Sequence, residues 1–224
     1  LSDDYFESLG EPKPGTPFGL LDSYRFDVVY RSLTPGNVLD VGVYFGDFLK
    51  IAQKDGRKIF GTEINEKRVN LANSILKEEI VVLNFRNGRL DKFRDSSVDN
   101  VVCMEAVEHV PDDLVAVSEL CRVARTRVVI TVPFQENIQN VLCLHCYKYT
   151  PYSGHLHSYD RESFYTMVPP GWQVTKTLVF AKRVTRIIGS RLPKSNFLIP
   201  FLRLLDRTSP GKGIWLMVVL QAIE

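Results

Sequence analysis

From Val38 to Phe134 the apolar residues follow two rhythms in turn. Short continuous runs, "NVLDVG", "RKIFGTEI", "EIVVLNF", "VDNVVCME" and "TRVVITVPF", alternate with stretches in which apolar residues return every three or four positions. Continuous Val/Ile runs predict strands buried on both faces, and the longer periodic stretches predict helices. "DFLKIAQK" (Asp47–Lys54) and "NEKRVNLANSILKE" (Asn65–Glu78) are such helices, the second with Val69, Leu71, Ala72, Ile75 and Leu76 as its apolar positions. A third, "PDDLVAVSELCRVA", opens on a proline and two acids, which suit a helix N-terminus. Strand and helix in alternation specify a doubly wound α/β sheet. Further on, "DRESFYTMV" predicts a helix, and "GWQVTKTLVFAKRV" and "GIWLMVVLQAI" predict two more strands. No convincing helical crossover separates these last two. The expected sheet is therefore seven-stranded and mostly parallel, with an antiparallel C-terminal edge.

Composition narrows this picture without redirecting it. The chain has 224 residues, 45% of them hydrophobic, which favours a single domain over 1–224. Three segments stand apart from the alternation: an N-terminal helical segment, 1–35; a polar and aromatic connection, 135–160, too long for a simple turn; and a stretch at 183–212 that mixes basic and apolar residues. A formal net charge of +2, from 28 basic and 26 acidic residues, does not indicate a large phosphate-reading surface. Four cysteines are too few for a disulfide framework. "LSDDYFESLG" is acidic without an apolar core, and no apolar run approaches the roughly 18 residues of a membrane span. A cytoplasmic setting is the expectation.

The densest signal is "VLDVGVYFGDF", Val38–Phe48, just after the first strand, where open α/β sheets hold their ligands. A pyrophosphate would call for G-x-G-x-x-G at the helix start. Here Asp40 stands two residues before Gly42, and the next glycine is Gly46. An acid there repels a pyrophosphate and suits an ammonium. Glu63, at the end of the second strand, is placed to accept the two hydroxyls of a ribose. A nucleoside joined to an amino acid, without phosphate, satisfies both: S-adenosylmethionine.

With "LDVGVYFG", "GTEIN" and "SSVDNVVCMEAVEHVPDD", the sequence resembles the class I S-adenosylmethionine-dependent methyltransferases, and the last stretch resembles the group that includes the ubiquinone-pathway methyltransferases. The resemblance spans about Val38 to Phe134 and implies a Rossmann-like methyltransferase fold, with S-adenosylhomocysteine as the product left behind. It further implies that Gly42 and Gly46 let the loop approach the methionine part, with Asp40 on the ammonium, Glu63 on the ribose, Ile64 against adenine, and Arg89 and Leu90 at the adenine edge. Many relatives carry an acid where Arg89 stands. Glu105 to His109 would line the pocket near the transferred methyl. Relatives often have a third glycine where Tyr44 stands, so either the backbone turns differently here or the ring covers the cofactor.

The acceptor is less constrained. The Asn-Pro-Pro-Tyr motif usual for exocyclic amines of DNA is absent after the fourth strand, which points to a small molecule, hydrophobic or glycan-linked. His109, beside the expected methyl site, is the candidate catalytic base. In "CLHCYKYTPYSGHLHSYD", Cys143 and Cys146 have the spacing of a zinc half-site, and His155 with His157 would complete a tetrahedral set. The other reading is a reduced cysteine pair in an acceptor-side lid. In 183–212, "FLIPFLRLLDR" suits a membrane surface or, equally, packing on the core or in a homodimer, and Pro200 is expected to interrupt its helix. Two other functions remain to be separated: a methyltransferase-like binding module without catalysis, and a nicotinamide-dependent oxidoreductase, against which the missing G-x-G-x-x-G speaks.

Overall fold

The Val/Ile runs become the inner strands of one sheet in the computed structural model, which describes residues 19–144 and 147–223. Its strands are β1 (Val38–Val41), β2 (Ile59–Glu63), β3 (Val81–Leu83), β4 (Val98–Met104), β5 (Ala124–Pro133), β8 (Trp172–Lys182) and β9 (Gly213–Ala222). They lie in the order β3-β2-β1-β4-β5-β9-β8. The first five are parallel, and β9 runs antiparallel to both β5 and β8. All four residues of β1 are buried, as a strand covered on both faces requires.

Alternate residues of the central strands feed two cores. Val101, Cys103, Ile130, Leu216 and Val218 pack on one face of the sheet, and Val102, Val129, Met217 and Val219 on the other. The first face is covered by α4 (Asp113–Val123), the second by α1 (Leu20–Tyr30) and by α6 (Ile199–Thr208). The remaining helices are α2 (Asp47–Lys54), α3 (Glu66–Leu76) and α5 (Arg183–Arg191). Local chemistry sets several helix starts. Asn65 accepts a hydrogen bond from the Arg68 N–H at the head of α3, and Asp112 accepts one from the Val115 N–H at the head of α4, each relieving an orphan donor of the first turn.

The chain leaves β1, winds outward through β2 and β3, then returns to β4 on the other side of β1. Strand order reverses between β1 and β4, which opens a crevice at their carboxyl ends.

Three local expectations differ from the structure. The helix expected in "DRESFYTMV" is a single 3-10 turn, Ser163–Tyr165. The Asp160 carboxylate accepts the N–H groups of Glu162 and Ser163, and Pro169 and Pro170 prevent extension beyond Val168. The connection 135–160 holds an exposed two-stranded hairpin, β6 (Asn140–Leu142) with β7 (Tyr149–Pro151). Pro200 sits in the first turn of α6 and does not interrupt it, since a helix start has no use for the missing N–H.

Candidate active site

The loop after β1 and the end of β2 form one wall of a cavity of about 370 Å³. Gly42 and Gly46 have φ of 82° and 78°, and a Cβ on Gly42 would meet the Ala106 Cβ at 3.2 Å. Asp40 is 1% exposed, and its Oδ1 has no hydrogen-bond partner among the described residues. Burial, with the charge of Glu63 nearby, pushes its carboxyl up to about 8, and Arg25 offsets part of that rise. The Glu63 carboxylate accepts the backbone N–H groups of Tyr44 (3.1 Å), Ile64 (2.9 Å) and Asn65 (3.4 Å). Burial raises this carboxyl too, while those donors draw it back.

Tyr44 takes the left-handed conformation, φ 53°, that glycine adopts freely. Its N–H secures the loop to Glu63, its ring lies 3.8 Å from that of Phe45, and the Arg68 guanidinium sits 4.9 Å from its centroid. Phe85, Asn87 and Glu105 also line the cavity at positive φ. Non-glycine residues in this region are uncommon, and strain of this kind concentrates at functional sites.

The opposite wall comes from the loop after β4 and from α1. Glu105 receives hydrogen bonds from the Trp215 Nε1–H (3.1 Å) and the Thr131 hydroxyl (3.3 Å), and Arg25 NH1 lies 3.8 Å from it. The Arg25 guanidinium also lies over Trp215, 4.6 Å from the ring. Glu108 is fully buried, and neither of its carboxyl oxygens has a hydrogen-bond partner among the described residues. Burial and the neighbouring Glu105 raise its carboxyl well above the ordinary range. His109 Nδ1 is 3.1 Å from the Gly154 carbonyl, and burial, with His155 beside it, lowers its imidazole to about 4. His155 lies edge-on to His109 at 4.7 Å and is hydrogen-bonded through Nδ1 to Glu136.

Comparison with known proteins agrees with this arrangement. The sequence pattern of the methyltransferase domain family matches residues 39–132. A ubiquinone biosynthesis O-methyltransferase of Hahella chejuensis is 29% identical over 114 residues, covering 49% of this chain and 48% of that protein. Over this part of the chain the sequence resembles the class I S-adenosylmethionine-dependent methyltransferases. An S-adenosylmethionine-dependent methyltransferase from Mesorhizobium loti superposes with a TM-score of 0.64 at 15% identity, over 91% of this chain and 100% of its own. One from Archaeoglobus fulgidus gives 0.62 at 18%, over 97% and 98%. At such identities these two structures support the fold. The chain spans about half the length of the curated relatives it matches.

The residues present fit the cofactor of this methyltransferase family. Asp40 offers an unpartnered carboxylate oxygen. Glu63 has used three of about four acceptor positions on backbone donors, with one position left on Oε2. Of the positions singled out in the sequence, Asp40, Gly42, Tyr44, Glu63, Ile64, Glu105 and His109 line the cavity together. Gly46 instead caps α2. Near the expected adenine edge Asn84, Phe85 and Asn87 line the cavity, while Arg89 is exposed and Leu90 is fully buried. The Leu90 N–H is held by the Glu119 carboxylate of α4 at 3.0 Å.

The zinc expectation is not borne out among the described residues. Cys146 lies outside the described residues, and Cys143 does not gather with His155 and His157. His155 is taken by Glu136, while His157 Nε2 donates to the Val110 carbonyl at 2.8 Å, with Nδ1 3.5 Å from Asp113. Among the described residues, the metal-ligand atoms that do converge, within 4.8 Å of one another, are those of Glu108, His109 and His155. Arg25 escaped the sequence reading. A helix was expected in this segment, but nothing in "DSYRFD" marks which side chain turns inward.

Proposed function

We propose that this chain transfers the methyl group of S-adenosylmethionine to the oxygen of a small-molecule acceptor, hydrophobic or glycan-linked. The observation carrying the reading is the pairing, in one crevice, of Asp40, whose Oδ1 has no partner among the described residues, with the Glu63 carboxylate at the ends of adjacent strands. An oxygen acceptor is supported by the relatives, which are named as O-methyltransferases of ubiquinone biosynthesis.

The cofactor supplies an electrophilic methyl on a sulfonium. The chain's residues do the rest. Asp40 receives the ammonium, and Glu63 Oε2 accepts a ribose hydroxyl. His109 is neutral at neutral pH because burial lowers it. A carbonyl oxygen only accepts, so the Nδ1 that faces Gly154 carries the proton and Nε2 keeps its lone pair. From the cavity wall the neutral His109 would help orient the acceptor oxygen toward the methyl group. So weak a base contributes alignment first, and alignment is the larger need of a displacement in line.

Calorimetry with S-adenosylmethionine, S-adenosylhomocysteine and NADH tests the reading. Binding of both adenosyl ligands and not of NADH is expected, with the affinity for S-adenosylmethionine lost in Asp40→Asn. Binding of NADH alone, or an Asp40→Asn variant that binds as tightly as the parent, defeats it.

A further inference from the structure

Helices α5 and α6, between β8 and β9, present a face that the fold does not use. Their inner sides are committed. Thr185, Gly189, Leu202 and Asp206 are buried, and the Asp206 carboxylate accepts the N–H groups of Ala181 and Lys182 and the Tyr24 hydroxyl. Arg203 is joined to Asp27 on α1 at 2.6 Å. The outer side is apolar and open: Phe197 is 94% exposed, Leu204 62% and Phe201 50%, with Leu192 and Ile187 near 40%. Phe201 and Leu204, three residues apart, share one side of α6, and Phe197 projects from the 3-10 turn just before it.

Charge singles out the same face. From 183 to 212 there are seven Lys or Arg residues and a single acid, Asp206, which points inward. The whole chain carries only +2, so the rest of it is net acidic. Arg183, Arg186, Arg191, Lys194 and Arg207 are exposed, and no ion pair among the described residues includes them.

We infer that this face docks on an anionic lipid bilayer. Apolar side chains ringed by cations are what an interfacial helix pair presents to acyl chains and headgroups. A second copy of the chain fits less well, because a two-fold contact sets each cation against its own equivalents. Nucleic acid would match the charge, but beside the two aromatics Phe197 and Phe201 the face is aliphatic, with Val184, Ile187, Leu192 and Leu204 offering bases no stacking surface. The face also adjoins the crevice through α1: Gly189 of α5 lies against Leu21 of α1, where an added Cβ would meet the Leu21 side chain at 3.2 Å, and Arg25 and Phe26 of the same helix line the cavity. Docking therefore brings the crevice mouth to the headgroup layer, where a hydrophobic acceptor is concentrated. This last step rests on the proposed methyl transfer, whereas the docking itself does not.

The test is co-sedimentation of the full chain with phosphatidylcholine vesicles, with and without phosphatidylglycerol. Pelleting is expected only with the anionic lipid and should weaken as salt is added. Arg186→Glu with Arg191→Glu should weaken partitioning by about tenfold or more per reversed charge, and Phe197→Ser by about tenfold. All three positions are exposed, so circular dichroism and melting should match the parent. The inference is overturned by absent pelleting, by equal pelleting with phosphatidylcholine alone, or by pelleting that these variants leave unchanged. A dimer that Phe197→Ser dissociates, or single-stranded RNA binding that the charge reversals remove, in place of vesicle binding would also overturn it. Cofactor calorimetry on the same samples separates failure of docking from failure of the methyltransferase reading.

Discussion

Tyr44 occupies a backbone conformation, φ 53°, that costs an L-residue on the order of 1 kcal/mol, while its ring contacts Phe45 and Arg68. Tyr44→Gly removes both the strain and the ring, so the melting temperature should move little. If the ring covers the cofactor, affinity for S-adenosylmethionine should fall about tenfold, a loss of about 1.4 kcal/mol; unchanged affinity would make the ring a bystander. Asp40 gives a pH prediction. Its carboxyl is raised on folding from 3.8 to about 8, so its contribution to stability is complete below about pH 4 and is lost as pH climbs toward 8. Glu63, also raised, acts in the same direction. The melting temperature of the ligand-free chain should therefore carry a falling component over this range. That component should shrink in Asp40→Asn and should be suppressed by saturating cofactor, whose ammonium favours the ionised form. A pH scan of melting with and without S-adenosylmethionine reads it directly. For His109, alignment predicts that His109→Gln lowers kcat about tenfold or more with its pH profile kept; general-base catalysis would add a factor of about 10²–10⁴ and a lost acidic limb.

Among the elements, strands were the easiest to read because β1, β4 and β9 are buried on both faces and appear in the sequence as apolar runs with few polar interruptions. The β6–β7 hairpin was not readable for the opposite reason: β6 is exposed throughout, so no burial imposes an alternation on it. Helix α6 owes its position to one buried side chain. Asp206 gathers three donors from β8, its exit and α1, and Asp206→Ala would strand them. A loss of about 3 kcal/mol in chemical denaturation is expected, against a smaller loss for Asp206→Asn, which keeps an acceptor. An unchanged midpoint for Asp206→Ala would mean that α6 is held by apolar packing alone.

For the molecule as a whole, the crevice lies where strand order reverses, so a ligand bound there bridges β1, β2, β4 and α1 and should stabilise the entire domain. At about 100 times its dissociation constant, S-adenosylhomocysteine should add roughly 2.7 kcal/mol, which for a domain of this size is a rise of about 5–10 °C in melting temperature. NADH should give none. The sequence by itself determined the alternation of strands and helices, the antiparallel edge, and the two carboxylates that suit an ammonium and a ribose. These are local matters: runs of apolar residues, and acids at fixed offsets from glycines. Only the tertiary structure decided which side chains meet across the crevice. It brought Arg25 from α1 onto Glu105 and Trp215, placed Asn87 at the cavity where Arg89 was expected, and parted His155 and His157 from Cys143. Such contacts join residues far apart in the chain, and their partners are chosen by packing and hydrogen bonding that no short stretch of sequence encodes.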